Sequence, residues 1–319
     1  MTQSVQAKAR LNRIDSALAI VTALLALLLL TGWYFSDRFL TLRNFMNVLE
    51  QAAALGFASL GQALVVLVGG IDLSIGAMVT ASNVLLAAVV EMNPALMVPM
   101  LVITLVFGAL IGLINGFVIL RSGVHPLIVT LGTASILNGA VLVYTLQPTG
   151  GVPFWFEEFA YGRLLTLPIS GLVMILCFIL AFGVLRYTAL GRAFYAVGGH
   201  LEAANLVGLR NNRITLIAYA ASGFLAALAG AYYVSRTGVG DPRVGDPITL
   251  ASITPVILGG IVLGGGKGNV LGVFLGVLLM SLLANLLNYM DVSTFAQWII
   301  QGLIIILAVA IRVGKGGRV

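Results

Sequence analysis

Long apolar stretches without a charged residue recur along the whole chain. Ten such windows, each of at least 18 residues, cover residues 16–36, 51–71, 73–90, 92–120, 122–156, 164–185, 214–235, 247–266, 268–290 and 292–311. A helix rises about 1.5 Å per residue, so about 20 residues cross the roughly 30 Å hydrocarbon core of a bilayer. Strands of a membrane barrel would alternate in polarity, and the run from Ala17 to Leu30 does not. The pattern predicts an all-α polytopic membrane protein with about ten transmembrane helices in one domain, residues 1–319.

Composition agrees with this assignment and excludes several classes of protein. Of the 319 residues, 60% are hydrophobic and 9% are charged, and the mean hydropathy is +1.08. Soluble domains carry about 25% charged residues, so a water-surrounded globule is excluded. The net charge of +6 comes from 17 scattered Lys and Arg residues, which excludes a nucleic-acid-binding patch. Cys177 is the single cysteine, so a disulfide framework is excluded too.

The basic residues predict the orientation of the chain. Ten spans place both termini on one side. If that side is cytoplasmic, the inner segments hold twelve basic residues: Lys8, Arg10, Arg13, Arg121, Arg186, Arg192, Arg210, Arg213, Lys267, Arg312, Lys315 and Arg318. The outer segments hold five: Arg38, Arg43, Arg163, Arg236 and Arg243. Because cytoplasmic loops carry the excess of Lys and Arg, we predict cytoplasmic N- and C-termini.

Two loops stand out by their length. On the outer side, residues 147–163 carry Phe154-Trp155-Phe156 followed by Glu157-Glu158, which is typical of a segment at the membrane interface. On the inner side, residues 188–212 are long enough to form a helix of their own. The Glu202-Ala203-Ala204 run favours that helix and Gly208 is suited to end it. We predict that a cytosolic partner acts on this inner loop.

Glycine spacing predicts close helix packing. Gly108, Gly112 and Gly116 recur every four residues, and Gly268, Gly272 and Gly276 do the same. Such a row removes side chains from one helix face, so another backbone can approach closely within the membrane. Packing within one subunit and packing between two subunits both fit this pattern.

No set of residues predicts a catalytic or metal site. His125 and His200 have no Cys, His or carboxylate at ligand spacing, so we expect no metal. The run Gly264-Gly265-Gly266-Lys267-Gly268 lacks the first glycine and the Ser or Thr of a phosphate-binding loop. We therefore expect that the chain is not an enzyme and does not hydrolyse ATP. A membrane-embedded enzyme would need a nucleophile and base, which the pattern does not show.

Asp72 lies in the one-residue gap between the second and third apolar windows. An ionisable residue within a membrane is a candidate for function, and here it could couple transport to protons. The structural alternative is that Asp72 caps the next helix, where its carboxylate would accept hydrogen bonds from first-turn amides. We favour the helix cap.

Uncharged polar residues within the windows are candidates for interhelical hydrogen bonds, at about 1 kcal/mol or less each. Some could instead line a path for a hydroxylated solute. The candidates for that path are Gln62, Asn83, Asn115, Thr130, Asn138 and Asn285.

Several motifs, in order along the chain, resemble those of one known family. They are Gly69-Gly70-Ile71-Asp72-Leu73-Ser74-Ile75-Gly76, Gly112-Leu113-Ile114-Asn115-Gly116, His125-Pro126-Leu127-Ile128-Val129-Thr130-Leu131-Gly132-Thr133, Gly191-Arg192 with Glu202-Ala203-Ala204, and Leu258-Gly259-Gly260 with Gly264-Gly265-Gly266-Lys267-Gly268. Over residues 40–310 the chain resembles the ribose-type permease subunits of bacterial ATP-binding-cassette (ABC) sugar importers.

The resemblance implies a ten-helix permease in the bacterial inner membrane that pairs with a second copy or a close paralogue. A cytosolic ATPase subunit would carry ATP and Mg²⁺, and this chain would hold no cofactor. The family couples to the ATPase through the loop between the sixth and seventh spans. The corresponding residues are Gly191, Arg192, Glu202, Ala203, Ala204, Gly208 and Arg210.

A periplasmic sugar-binding protein would deliver the solute to the outer side. Its candidate docking residues are Glu157, Glu158, Arg163, Arg236, Asp241, Arg243 and Asp246, since exposed ion pairs of about 0–1 kcal/mol each suit a partner that docks and leaves. The predicted function is passage of a monosaccharide or similar polyol between two permease copies; pentoses, hexoses and polyols all stay open. The alternative is an ion-coupled secondary transporter that uses Asp72.

Overall fold

The computed structural model of the chain describes residues 2–316, and the side chains of residues 18–306 other than Met92 and Ile305. The described helices are α1 (Thr2–Phe35), α2 (Leu42–Leu67), α3 (Ile75–Met92), α4 (Met97–Ser122), α5 (Pro126–Tyr144), α6 (Glu158–Tyr161), α7 (Ile169–Tyr187), α8 (Ala189–Gly199), α9 (Leu201–Leu206), α10 (Asn211–Thr237), α11 (Ile248–Leu258), α12 (Val270–Tyr289) and α13 (Thr294–Gly316). Two 3₁₀ turns cover Pro94–Leu96 and Phe154–Glu157. Strands β1 (Arg163–Leu164) and β2 (Leu167–Pro168) form a short antiparallel hairpin.

Helices that can cross a membrane dominate the architecture. Within the described residues, α1, α2, α4, α5, α7, α10 and α12 are long and apolar enough for this, and α3 and α11 are shorter apolar helices. The prediction of an all-α polytopic membrane protein is therefore confirmed. The terminal basic residues that support the predicted orientation lie outside the described side chains: Lys8, Arg10, Arg13, Arg312, Lys315 and Arg318.

Two apolar windows contain less helix than their length allowed. In window 122–156 the helix α5 ends at Tyr144. In window 247–266 the helix α11 has 11 residues, which at 1.5 Å each reach about 17 Å, little more than half of the hydrocarbon core. The glycine-rich segment after α11 ends the helix, because Gly260 and Gly265 adopt positive φ angles of 97° and 81°, which interrupt helical hydrogen bonding. The expectation that this window forms one full spanning helix is corrected.

Helix α10 lies at the centre of the fold. It packs against α4, α2 and α3, while α2 also contacts α7, α11 and α12. Accordingly, 61% of the spanning part of α10 and 78% of that of α2 are buried, against 17% for α1 and for α5. The buried helices form the core that positions the polar residues described below, and the peripheral ones face the surroundings.

The glycine rows serve packing within this chain. A methyl group at Gly112 would overlap the backbone of Tyr219 on α10, and one at Gly108 would overlap the backbone of Gly223. In the same way a methyl group at Gly272 would overlap Gly259 at the end of α11. Backbones that touch in this manner gain van der Waals contact where the hydrophobic effect gives no help. Of the two alternatives for these rows, packing within one subunit is what the structure shows.

Candidate functional site

A buried polar network surrounds Asp72, which lies in the irregular connection between α2 and α3. The Asp72 carboxylate accepts hydrogen bonds from the Ser74 N–H (3.0 Å), the Ser74 hydroxyl, and the Ser222 hydroxyl of α10 (2.9 Å). The Asn115 amide of α4 donates to the Ser74 hydroxyl (2.9 Å), and the Thr133 hydroxyl of α5 donates to Asn115. The bonds from Thr133, Asn115 and the Ser74 hydroxyl run as one chain of donors that ends on the carboxylate. Ser222 donates to the carboxylate separately, so the network around the fully buried Asp72 joins α4, α5 and α10.

The structure revises the role expected for Asp72. Ser74, and not Asp72, is the N-cap residue of α3, and the Asp72 side chain bonds the N–H two residues ahead, outside the first helical turn. Thr130 of α5 supports the same connection by accepting a bond from the Leu73 N–H (3.1 Å). Asp72 therefore ties the connection to α10 instead of capping a helix end, while the Leu73 N–H ties it to α5.

The predicted path residues do not converge on one site. Asn115 and Thr130 both belong to the surroundings of Asp72. By contrast, Asn285 exchanges amide hydrogen bonds with Asn44 on α2 (2.9 and 3.1 Å), and Gln62 is fully buried. Asn138 lies half-buried on α5. Asn285 thus joins α12 to α2, whereas both polar atoms of the buried Gln62 amide have no hydrogen-bond partner among the described residues.

Asn83 has a different surrounding. Its amide donates to the Gly230 carbonyl of α10 (3.4 Å), and its oxygen accepts a bond from the Asp241 N–H (2.7 Å). It thereby fastens the irregular segment after α10 to the side of α3. This contact joins a predicted path residue to a segment that the sequence assigned to the outer loops.

The inner loop 188–212 is folded into the two short helices α8 and α9. Within it Gly191 and Ala204 are buried, whereas Arg192, Glu202 and Ala203 are exposed. A surface groove of about 570 Å³ is lined by Gly199, His200, Leu201, Glu202, Ala203 and Leu206. Past α9, Gly208 adopts a φ of 78°, the left-handed conformation that ends helices, and Arg210 follows as an exposed cation.

The surface of α9 is apolar as well as charged. Leu201, Leu206 and Val207 are 55%, 89% and 76% exposed. Large apolar side chains that are clustered in this way around Glu202 are typical of a protein contact.

Helix α8 touches two other inner segments directly through their backbones. A methyl group at Gly198 would overlap the Leu67 carbonyl at the end of α2 and the amide of Gly266. Those two segments are themselves joined, because the Gly266 N–H donates to the Leu67 carbonyl (2.9 Å). We call this contact of Gly198, Leu67 and Gly266 the glycine junction.

On the opposite side, residues 147–163 pack on the end of α10. The Thr149 and Gly240 backbones exchange hydrogen bonds (2.9 and 2.8 Å), and the Val152 N–H donates to Gly238 (3.2 Å). Glu158 is exposed and Glu157 half-buried. Arg163 is 3.8 Å from the Glu50 carboxylate of α2 and donates to Asn47 (3.1 Å). The Arg163 guanidinium therefore already has polar partners within this chain.

The segment from Asp241 to Asp246, which the sequence assigned to the outer loops, begins beside residues 147–163, because Gly240 pairs with Thr149. It descends along α3, because the Asp241 N–H reaches Asn83 and the Gly245 N–H reaches the Thr80 hydroxyl (3.0 Å). Arg243 and Asp246 on this segment are exposed. Backbone contacts with Asn83 and Thr80 place the segment beside the middle of α3. The distribution of charges along the sequence gives no signal for such contacts.

Sequence reasoning also missed several polar residues that the structure places at these sites. Ser222 and Thr133 complete the Asp72 network. Gln51, Ser281 and Gln301 line a cavity of about 160 Å³ between α2, α10, α11, α12 and α13. Single Ser, Thr and Gln residues in apolar helices give no periodic signal, so only their spatial neighbours identify them.

Comparison with known proteins finds similar transport permeases. Residues 44–309 match the family model described as "Branched-chain amino acid transport system / permease component". The ribose import permease of Bacillus subtilis (strain 168) is 36% identical over 85% of each chain. The fructose import permease of Rhizobium meliloti is 34% identical over 94% of this chain and 86% of its own. The D-allose transport system permease of Escherichia coli (strain K12) is 30% identical over 92% and 89%.

No solved structure matches the chain significantly. The family model covers most of the chain, and the sugar permeases match over most of their own length. The chain therefore belongs to this family of transport-system permease components, as a permease subunit of an ABC importer.

Proposed function

We propose that the chain is the permease of a bacterial inner-membrane importer that carries a monosaccharide or similar polyol. The observation that carries this proposal is the extended similarity to permeases named for ribose, fructose and D-allose. A polyhydroxylated solute also suits the polar side chains at membrane depth in this chain, since hydroxyl, amide and charged groups all bond sugar hydroxyls.

Ten crossings with cytoplasmic termini fit the order of elements. The crossings would be α1, α2, α3, α4, α5, α7, α10, α11 with its irregular flanks, α12 and α13. In support, the glycine junction and Asn115 near the end of α4 lie on one side, while the contact between Thr149 and Gly240 lies on the other. The number of basic residues assigns the first of these sides to the cytoplasm.

The surface of α8 and α9 would receive the ATPase. This surface combines exposed leucines, Glu202 and a concave groove, and its helices join the core through the glycine junction. ATP and Mg²⁺ would be held by that partner, and this chain would need no cofactor. The six other predicted coupling residues lie on the same two helices and the turn after them.

Two further partners complete the proposed assembly. A second permease copy or paralogue would supply the other side of the passage. A periplasmic binding protein would dock on the outer loop at Glu157, Glu158 and Arg163, where Phe154 and Trp155 are 84% and 52% exposed. Ion pairs at such exposed positions contribute about 0–1 kcal/mol each, which suits reversible docking.

The Asp72 network argues against the ion-coupled alternative. The carboxylate already accepts three hydrogen bonds from Ser74 and Ser222, so the network satisfies it as an anchor of the connection between α2 and α3. Family membership also points to ATP as the energy source.

The proposal is tested by reconstituting the permease with its ATPase and binding protein in vesicles. Glu202→Arg should lower ATP-driven sugar uptake about tenfold or more, equivalent to about 1.4 kcal/mol of lost docking energy. Glu91→Arg is the matched control. Glu91 is an exposed glutamate near the C-terminal end of α3, and this variant should leave uptake unchanged. Uptake that persists without the ATPase and stops when a proton gradient is dissipated would favour ion coupling.

A further inference from the structure

The irregular segment 240–247, between α10 and α11, lies deep in the molecule. Thr80, which binds Gly245, is 12 residues before the end of α3 at Met92, or about 18 Å along the helix. At the other end of α3, Ser74 accepts a hydrogen bond from Asn115. Asn115 lies seven residues before the end of α4 at Ser122, which is about 10 Å along that helix. Helix α4 is about 39 Å long by the same rise. The segment therefore reaches close to the middle of the membrane-crossing bundle.

Two charged side chains project from this segment at that depth. Arg243 and Asp246 are both exposed, although the backbone between them is held against α3. Among the described residues, one ion pair has its charged atoms within 4.0 Å of each other, and it joins Glu50 and Arg163. Arg243 and Asp246 therefore have no ion-pair partner among the described residues. A charge facing lipid at the centre of a bilayer costs about 2.5–3.5 kcal/mol or more. Hydrocarbon is therefore a poor neighbour for this face.

The backbone leads to the same conclusion independently. Residues 240–247 form no regular helix, and irregular backbone at membrane depth is tolerated only where it is buried in protein or lines a water-filled cavity. Pro242 and Gly245 are buried, while the side chains of Arg243 and Asp246 are exposed. Water on the exposed side would solvate both charges.

A separate cavity beside α11 has polar and apolar lining residues, and Leu55, Met280 and Ala284 supply part of its apolar lining. Ala251, in the first turn of α11, lines it together with Gln51, Ser281, Gln301 and Arg236. Gln51 is exposed nine residues into α2, about 14 Å from the helix end. The volume of about 160 Å³ leaves room for several water molecules.

We propose that Arg243 and Asp246 line a water-filled passage at mid-membrane depth and contact the polyhydroxylated solute as it crosses. The guanidinium offers several N–H donors and the carboxylate only acceptors, so together they bond neighbouring hydroxyls of a neutral sugar. This inference rests on the proposed function and adds two solute-contacting residues to it. The second permease copy would close the passage from the opposite side.

Thiol labelling of the assembled complex in membranes tests the proposal. In a Cys177→Ala background, Arg243→Cys and Asp246→Cys are compared with Leu110→Cys, an exposed position at similar depth on α4. A charged methanethiosulfonate reagent reacts with thiolate, which forms in water and not in hydrocarbon. We expect the two passage thiols to react at least about ten times faster than Leu110→Cys, because their surroundings permit ionisation.

A second readout connects water access to the solute. Labelling at positions 243 and 246 should block sugar uptake, and a saturating concentration of transported sugar should slow labelling. Rates equal to those of Leu110→Cys, or fast labelling that leaves uptake unchanged, would overturn the proposal. Slow labelling of the cysteine variants, with normal ATP-driven sugar uptake, would contradict this inference and leave the proposed function intact. A complex without substitutions that shows no ATP-driven sugar uptake would contradict the proposed function itself.

Discussion

Helix α4 and the segment 240–250 both expose side chains at the same depth, yet their chemistry is opposite. The outer face of α4 presents Val102, Val106, Leu110 and Phe117, which are 51–57% exposed. The face of segment 240–250 presents Arg243, Asp246 and Leu250. One side of a membrane bundle can face lipid while another faces water or a second subunit. Exposure in a single chain therefore does not distinguish these surroundings. Side-chain polarity, combined with depth, tells them apart.

The largest expected effect comes from placing the same charge on the two faces. Leu110 and Leu250 are 53% and 62% exposed. Leu110→Arg should cost about 3 kcal/mol because lipid cannot solvate a guanidinium, and Leu250→Arg should cost far less. Both are measured as the fraction of folded protein recovered from membranes and as melting temperature. Equal losses for the two variants would mean that both faces meet lipid.

A smaller effect is expected where the segment touches α3. A methyl group at Gly245 would overlap the Gly76 carbonyl and the Thr80 hydroxyl. Gly245→Val should therefore destabilise the protein by about 1–3 kcal/mol through overpacking, seen as a lower melting temperature. Gly132→Val on α5, where no atom lies within 4 Å, is the control. Unchanged stability for Gly245→Val would show that the segment is free to leave α3.

Asn83 fastens the outer end of the same segment. Asn83→Ala removes the 2.7 Å bond to the Asp241 N–H, which leaves that amide with a desolvation penalty of about 1–3 kcal/mol. We expect lower stability and faster amide hydrogen exchange at residues 240–246. Asn138→Ala should change stability by no more than about 0.5 kcal/mol. An exchange rate that does not respond to Asn83→Ala would contradict this anchoring role.

The smallest effect on stability, and a distinct effect on transport, is expected at Arg243. Because its side chain is exposed and without an ion pair in the described chain, Arg243→Gln should change stability by less than about 0.5 kcal/mol. Loss of one hydrogen bond to solute, about 1 kcal/mol, should raise the KM for sugar uptake about fivefold. Arg38 is exposed three residues after the end of α1, and Arg38→Gln should leave KM unchanged.

The spanning helices were predictable because each long apolar helix leaves a charge-free window in the sequence. Helix α9 was indicated too, since Glu202-Ala203-Ala204 and Gly208 are local signals for a helix and its end, whereas α8 was not predicted as a separate helix. These features depend on neighbours in sequence, which is why no tertiary contact was needed to predict them.

The descent of segment 240–247 was not predictable in the same way. Its position depends on Asn83 and Thr80, which are 158 and 165 residues away in sequence from the amides they bind. The sequence placed Asp241 to Asp246 in an outer loop only because these residues lie between two apolar windows, and that criterion contains no information on contacts with α3. The short α11 was missed for a related reason, because the apolar residues after it continue the window although their glycines end the helix.

At the glycine junction, main chain rests on main chain without an intervening side chain. Side chains change rotamer readily and absorb small displacements, whereas peptide planes in contact do not. A displacement of α8 by a fraction of an ångström would therefore pass directly to the end of α2 and to the glycine-rich segment after α11. Movement of α8 is thus rigidly coupled to both segments, with no flexible side chain between them.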